Sequence, residues 1–138
     1  METSGLDHLN LTVSDLERSR QFYGELLGFN IQAVPKDYPV ELFAGSYSFL
    51  AGDVEICLIA HPETSPEDRF DETRIGLDHL SFKAPNEAAL QALAEKLIQA
   101  GVETKGVEVY MPNGKKCVAF RDPDNIQLEY WLDEASTL

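Results

Sequence analysis

The chain writes one short phrase twice. Leu6-Asp7-His8-Leu9-Asn10-Leu11 returns as Leu77-Asp78-His79-Leu80-Ser81-Phe82, with the first four residues unchanged. In both copies polar and apolar residues alternate, which is the period of a half-buried strand. His8, Asn10 and Thr12 then share one face, and Leu9, Leu11 and Val13 the other. By the same parity His79 and Ser81 stand opposite Leu80 and Phe82. A further run, Ile126-Gln127-Leu128-Glu129-Tyr130-Trp131, sets Glu129 opposite Leu128 and Tyr130. Two neutral imidazoles and a carboxylate suit Fe(II), Mn(II), Zn(II) or Ni(II), with positions left open for water and substrate oxygens. The chemistry requires a fold that brings His8, His79 and Glu129 together.

The elements that must do this can be read in order. Ser14-Asp15-Leu16-Glu17 has the capping-box pattern, with Ser14 as the cap. Leu16, Tyr23 and Leu27, with Phe22 and Leu26 beside them, make an apolar stripe at helical spacing that Gly28 can end. Phe29 to Val34 reads as a strand. Pro35 to Gly45 is irregular, and Tyr47 to Ala51 with Val54 to Ala60 form a hairpin turning at Gly52-Asp53. The segment 61–75, rich in proline and acidic residues, reads as a linker between halves. Beyond it, Leu77 to Ala84 is a strand, Asn86 caps a helix with Leu90, Leu93, Ala94, Leu97 and Ile98 on one face, and Gly101 stops it. Val102 to Tyr110, Lys116 to Arg121 and Ile126 to Leu132 complete the set as strands. Pro112-Asn113-Gly114 and Asp122-Pro123-Asp124-Asn125 are the turns between them. Each half is therefore a βαβββ unit, about 5–60 and 76–132, within one domain spanning 1–138.

Composition narrows the partners. At 138 residues the chain is long enough to bury roughly two-thirds of its unfolded surface. Eleven Lys and Arg against 24 Asp and Glu give a net charge of −13, which repels phosphate backbones and anionic lipid. Nucleic-acid and membrane partners are not expected. No apolar run reaches the ~18 residues of a membrane span, and the start shows no basic region of a signal peptide. Cys57 and Cys117, without C-x-x-C spacing, read as reduced thiols of a cytoplasmic protein.

The duplicated unit, the Asp-His-Leu strand openings, Phe22-Tyr23-Gly24-Glu25-Leu26-Leu27-Gly28-Phe29 and Phe120-Arg121-Asp122-Pro123-Asp124-Asn125-Ile126-Gln127-Leu128-Glu129 resemble the vicinal oxygen chelate superfamily. That group includes glyoxalase I, extradiol dioxygenases, fosfomycin-resistance thiol transferases and bleomycin-binding proteins. The resemblance runs from about Gly5 to Trp131. It implies an α+β fold in which two βαβββ modules form a cupped, barrel-like mixed sheet with flanking helices. It also implies one divalent metal per site, held by His8, His79 and Glu129. The fourth family position falls at Cys57, where glyoxalase I would have a glutamate; the His-His-Glu set is like that of the fosfomycin-resistance enzymes and extradiol dioxygenases. Ala119 stands at the tyrosine position of the fosfomycin enzymes and Cys117 at a serine one. The resemblance further implies a homodimer with sites shared between subunits.

The function that follows is a metal-dependent lyase, thiol transferase or dioxygenase acting on a small substrate chelated through two oxygens. The alternative is a non-catalytic protein that sequesters a ligand, as bleomycin-binding relatives do. Glu129 and Glu55 are the catalytic candidates, Glu55 as general base or fourth ligand, against an ordinary surface glutamate. Cys57 reads as a small buried hydrophobe, against a soft ligand or nucleophile. Asn10, Ser81 and Gln127 line the pocket or face water, and Cys117 lies on its wall. Arg121 either clamps an anionic substrate or pairs with Asp122 or Asp124. Trp131 is a pocket wall or an end-of-strand packing residue.

Overall fold

The computed structural model describes residues 1–134. Two compact units divide between Asp68 and Arg69, inside the 61–75 segment. The first unit begins with β1 (His8–Thr12) and the short helix α1 (Leu16–Arg20), and continues through β2 (Gln32–Ala33), β3 (Tyr47–Ala51) and β4 (Val54–Ile59). Its sheet runs β1-β4-β3-β2, with β1 parallel to β4 and the other pairs antiparallel. The second unit repeats this plan as β5 (Leu80–Ala84), α2 (Glu87–Gln99), β6 (Val107–Tyr110), β7 (Lys115–Arg121) and β8 (Gln127–Leu132). Its order is β5-β8-β7-β6, with β5 parallel to β8. The α+β class and the doubled βαβββ unit hold. Each sheet is an open four-stranded one rather than a closed barrel.

Strand parity is as the sequence dictates. Along β1, His8, Asn10 and Thr12 are exposed while Leu11 is buried, and Val13 beyond it is buried too. In the first unit Val13, Tyr23, Phe49, Ile56 and Leu58 are almost fully excluded from solvent. Phe49 lies under two rings, Phe29 at 4.4 Å and Tyr23 at 5.4 Å between centroids. Offset packing of this kind adds to the stabilisation from burial alone. In the second unit, Leu90, Ala94 and Leu97 of α2 are buried in the core with Val118 and Leu128. Asn86 accepts from the Ala89 amide at the head of α2, and Gly101, at φ 73°, follows its end. That left-handed conformation is one only glycine enters without strain.

Local expectations change at several points: β5 begins at Leu80 rather than Leu77, β6 begins at Val107 rather than Val102, and Ile98 of α2 is exposed. The N-cap of α1 is Asp15, which accepts from the Arg18 amide, whereas Ser14 instead accepts from the Arg18 guanidinium. The helix widens into a π-helical turn over Gln21–Leu26, with the Leu27 amide donating to the Phe22 carbonyl. Adjacent Phe22 and Tyr23 are both buried there, and Gly24 lies so close to Ile31 that a Cβ would meet Cγ1 at 2.8 Å. Of the expected Phe29–Val34 strand, β2 keeps Gln32–Ala33, the Val34 amide donates to the Ser46 carbonyl beyond it, and Phe29 stacks on Phe49. The second half of the 61–75 segment is fastened to the second unit: the Phe70 amide donates to the Asp124 carbonyl, and Asn125 Nδ2 to the Phe70 carbonyl.

The turn that launches β8 is built on Asp122. This buried carboxylate accepts from the Asp124 amide at 2.9 Å and the Ile126 amide at 2.8 Å, while Asn125 takes φ 72°. Asp122→Ala leaves two buried amides without their acceptor. It should cost about 2–4 kcal/mol in urea unfolding. Asp122→Asn, which retains one oxygen, should cost less than half of that. Equal, sub-kcal losses would show that water replaces the carboxylate.

Candidate metal centre and its neighbours

Parallel pairing of β5 with β8 sets Ser81 directly opposite Glu129. Gln127 and Trp131 lie two residues either side on the same strand, so pleating turns all three toward one face. The Glu129 side chain is only 15% exposed. A carboxylate so placed needs donors, since an unpaired buried charge is costly. Ser81 Oγ donates to Oε2 at 3.2 Å, Trp131 Nε1 to Oε2 at 2.5 Å and Gln127 Nε2 to Oε1 at 3.1 Å.

His79 stands at the mouth of β5, with Nε2 3.5 Å from Glu129 Oε2. Its other nitrogen, Nδ1, is 2.7 Å from Asp78 Oδ1. An acceptor-only carboxylate there places the proton on Nδ1 of the neutral ring and leaves the Nε2 lone pair facing Glu129. The Asp78 hydrogen bond raises the His79 pKa, burial opposes it, and the Glu129 charge adds to the rise. Two donors about 2.1 Å from a tetrahedral ion stand about 3.4 Å apart. The His79–Glu129 pair therefore fits a divalent metal in donor type, spacing and supporting shell. Among the described residues no three or more His, Cys, Asp and Glu side chains form a ready-made metal cluster.

The first unit carries the matching pieces on the β1–β4 pair. His8 lies opposite Glu55 and Asn10 opposite Cys57. His8 Nδ1 is 2.7 Å from Asp7 Oδ1, the same arrangement as at His79. Overlaying the two registers puts Asn10 where the second unit has Ser81, Cys57 where it has Glu129, and Glu55 where it has Gln127. Cys57 Sγ donates to Glu55 Oε1 at 3.3 Å. Burial first, and then the Glu55 hydrogen bond and charge, push the Cys57 thiol up to about 11.

Arg121 reaches back to the 61–75 segment. Its guanidinium forks onto Glu72, 2.6 Å from Oε1 and 3.1 Å from Oε2, and also donates to the Asn125 carbonyl and to Gln127 Oε1. Cys117 is buried opposite Trp131, and burial raises its thiol pKa, with Glu129 and Glu108 adding to the rise. Trp131 meets Tyr110 edge-on at 5.6 Å. The second unit thus gathers Ser81, Gln127, Glu129 and Trp131 into one hydrogen-bonded group with His79 beside it, and the first gathers His8, Asn10, Glu55 and Cys57 on one sheet face. Sequence reasoning missed Asp7, Asp78 and Glu72. The first two had a signal in the repeated Asp-His pair.

Residues 5–130 match the Glyoxalase/Bleomycin resistance protein/Dioxygenase superfamily. The chain belongs to this superfamily. It is 33% identical over 134 residues to the uncharacterized protein YwkD of Bacillus subtilis (strain 168), covering 95% of this chain and 98% of that one. It is 32% identical over 133 residues to the glutathione transferase FosA of Serratia marcescens, covering 90% of this chain and 77% of FosA. Among solved structures, a glyoxylase/bleomycin resistance protein/dioxygenase domain from Frankia sp. EAN1pec superposes with a TM-score of 0.78 at 34% identity, over 96% of this chain and all of that one. Among the described residues no helix is long and apolar enough to cross a membrane.

Within this superfamily member, Cys57 should behave as an inert thiol. Because the thiolate is the reactive form, a pKa near 11 should make alkylation by iodoacetamide at pH 8 at least about tenfold slower than for free cysteine. The rate should climb as the pH approaches that value. Peptide mapping by mass spectrometry reads it, and a rate equal to that of free cysteine at pH 8 would reverse the assignment.

Proposed function

We propose that the chain is a divalent-metal enzyme acting on a small substrate that reaches the ion through two oxygens, with His8, His79 and Glu129 as ligands. The observation that carries this reading is the His79–Glu129 pair, its imidazole oriented by Asp78, together with the repeat of the Asp-His arrangement at Asp7 and His8. Fe, Mn, Zn and Ni all suit this donor set. A bound ion there supplies Lewis-acid stabilisation of negative charge developing on the substrate oxygens.

The chain's own groups supply the rest. Asp78 and Asp7 hold the rings with Nε2 outward, and Ser81, Gln127 and Trp131 hold the Glu129 carboxylate. Glu55, exposed opposite His8, is the group placed to move a proton, and the protonated Cys57 is not. Among the reaction classes open to the superfamily, lyase or thiol-transferase chemistry is supported by similarity to the glutathione transferase FosA and to a probable lactoylglutathione lyase of Synechocystis sp., the latter 26% identical over 123 residues. A second reading, sequestration of a cationic compound without chemistry, draws on the net charge of −13. Metal content separates the two. Wild type and Glu2→Ala should retain about one ion per subunit after purification without added metal, while His79→Ala and Glu129→Ala lose it. Equal content in all four proteins would reject the site.

The assembly proposed is a cytoplasmic homodimer in which His8 of one subunit joins His79 and Glu129 of the other. Refolding His8→Ala together with Glu129→Ala tests it. With shared sites, a mixed dimer holds one site with both defects and one with neither, so metal returns to about half of the sites in those dimers. Verified mixed dimers that bind none would place each site within one subunit.

A further inference from the structure

The Gln127 side chain joins two groups whose hydrogen-bonding roles are fixed by their chemistry. A guanidinium only donates, and an ionised carboxylate only accepts. Arg121 Nη2 donates to Gln127 Oε1 at 3.2 Å, and Gln127 Nε2 donates to Glu129 Oε1 at 3.1 Å. The amide therefore has one orientation. Turned over, it would set its NH2 against the guanidinium and its oxygen against the carboxylate, losing both bonds.

Arg121 is itself held from behind. The fork onto Glu72 and the bond to the Asn125 carbonyl at 3.0 Å fix its plane. Glu72 is delivered by the segment that Phe70 ties to the β7–β8 turn through Asp124 and Asn125. A line of contacts thus runs from Glu72 through Arg121 and Gln127 to Glu129 Oε1. Oε2 is left to Ser81, Trp131 and the face of His79.

We propose that Arg121 is a positioning residue for the Glu129 carboxylate, acting through Gln127, and not a clamp for an anionic substrate. Both terminal nitrogens are already committed, and what they set is the polarity of the amide that holds one Glu129 oxygen in place. The proposal rests on the reading of Glu129 as a metal ligand. Outer partners of ligating carboxylates of this kind change metal affinity by about 10–100-fold when removed.

The test uses Co(II) as the probe on the full chain. Its dissociation constant is measured by calorimetry and its ligand field by visible absorption, for wild type, Gln127→Met, Arg121→Leu and the double variant. Gln127→Met should weaken cobalt binding at least about tenfold and shift the absorption bands. Arg121→Leu should do the same in smaller measure. The double variant should be no weaker than Gln127→Met, because Arg121 then has nothing left to orient. Melting of the metal-free proteins reports folding separately: a role confined to stability lowers the melting temperature and leaves affinity and spectrum untouched, which overturns the proposal. Additive losses in the double variant also overturn it. Should Arg121→Leu not fold, Gln127→Glu decides, since it keeps the acceptor for Arg121 and opposes Glu129 with a second carboxylate. It should weaken cobalt at least as much as Gln127→Met, and binding as tight as wild type or tighter overturns the proposal. Wild type that takes up no cobalt removes the metal reading and this inference with it; wild type that binds normally alongside an unaffected Gln127→Met removes the inference alone.

Discussion

A carboxylate on the half-buried face of a sheet cannot rely on water, and the polar face of the second unit is arranged around that fact. Most of the chain's 24 acidic residues lie at the surface, where solvation is cheap. Glu129 is different, and its donors come from two sources set by strand geometry. The register of β5 on β8 brings Ser81 opposite it, and the two-residue period of β8 brings Gln127 and Trp131 to the same side. Slipping β8 by one residue would send Glu129 into the core and Leu128 and Tyr130 to the polar face. The Asp122 turn, with Asn125 in the left-handed region, fixes where β8 begins and so which parity it takes.

The first unit keeps this framework and reverses its polarity. Where the second unit has an amide donating to a carboxylate two residues on, the first has a thiol donating to a carboxylate two residues back. The acid has moved from the position opposite the small polar residue, Ser81 or Asn10, to the one opposite the histidine. Two copies of one topology thus present different chemistry. One holds its carboxylate clamped by three donors, and the other leaves an exposed carboxylate bonded to a thiol that stays protonated. The clamped group suits a fixed ligand role; the exposed one can exchange protons with what reaches it.

Much of this was legible because it is periodic. Alternation placed His8, His79 and Glu129 on the polar faces of their strands, and helical spacing with Asn86 and Gly101 bounded α2. The contacts that were not legible depend on tertiary placement. Arg121 finds Glu72, 49 residues away in sequence, because the supposed linker is tied down at Phe70. The carboxylate of Asp122, its neighbour in sequence, is engaged by the Asp124 and Ile126 amides of the turn. Ser14 and Asp15 are both good caps; Asp15 takes the Arg18 amide, and Ser14 takes the Arg18 guanidinium instead. Asp7 and Asp78 escaped because parity assigns them to the face opposite their histidines. Each precedes the first residue of its strand or lies just outside it, and its carboxylate reaches Nδ1 of the adjacent histidine.

The two cysteines bear on what reactions the chain can run by itself. Burial raises both thiols, and in each case a nearby glutamate adds to the rise, so neither is poised as a thiolate near neutral pH. A thiolate would need a cation or a helix N-terminus beside it, and the groups beside Cys57 and Cys117 are carboxylates. A carboxylate acts the other way on an imidazole: the Asp78 hydrogen bond, and then the Glu129 charge, raise the His79 pKa against the opposing effect of burial. Neither thiol is therefore placed to serve as the chain's own nucleophile.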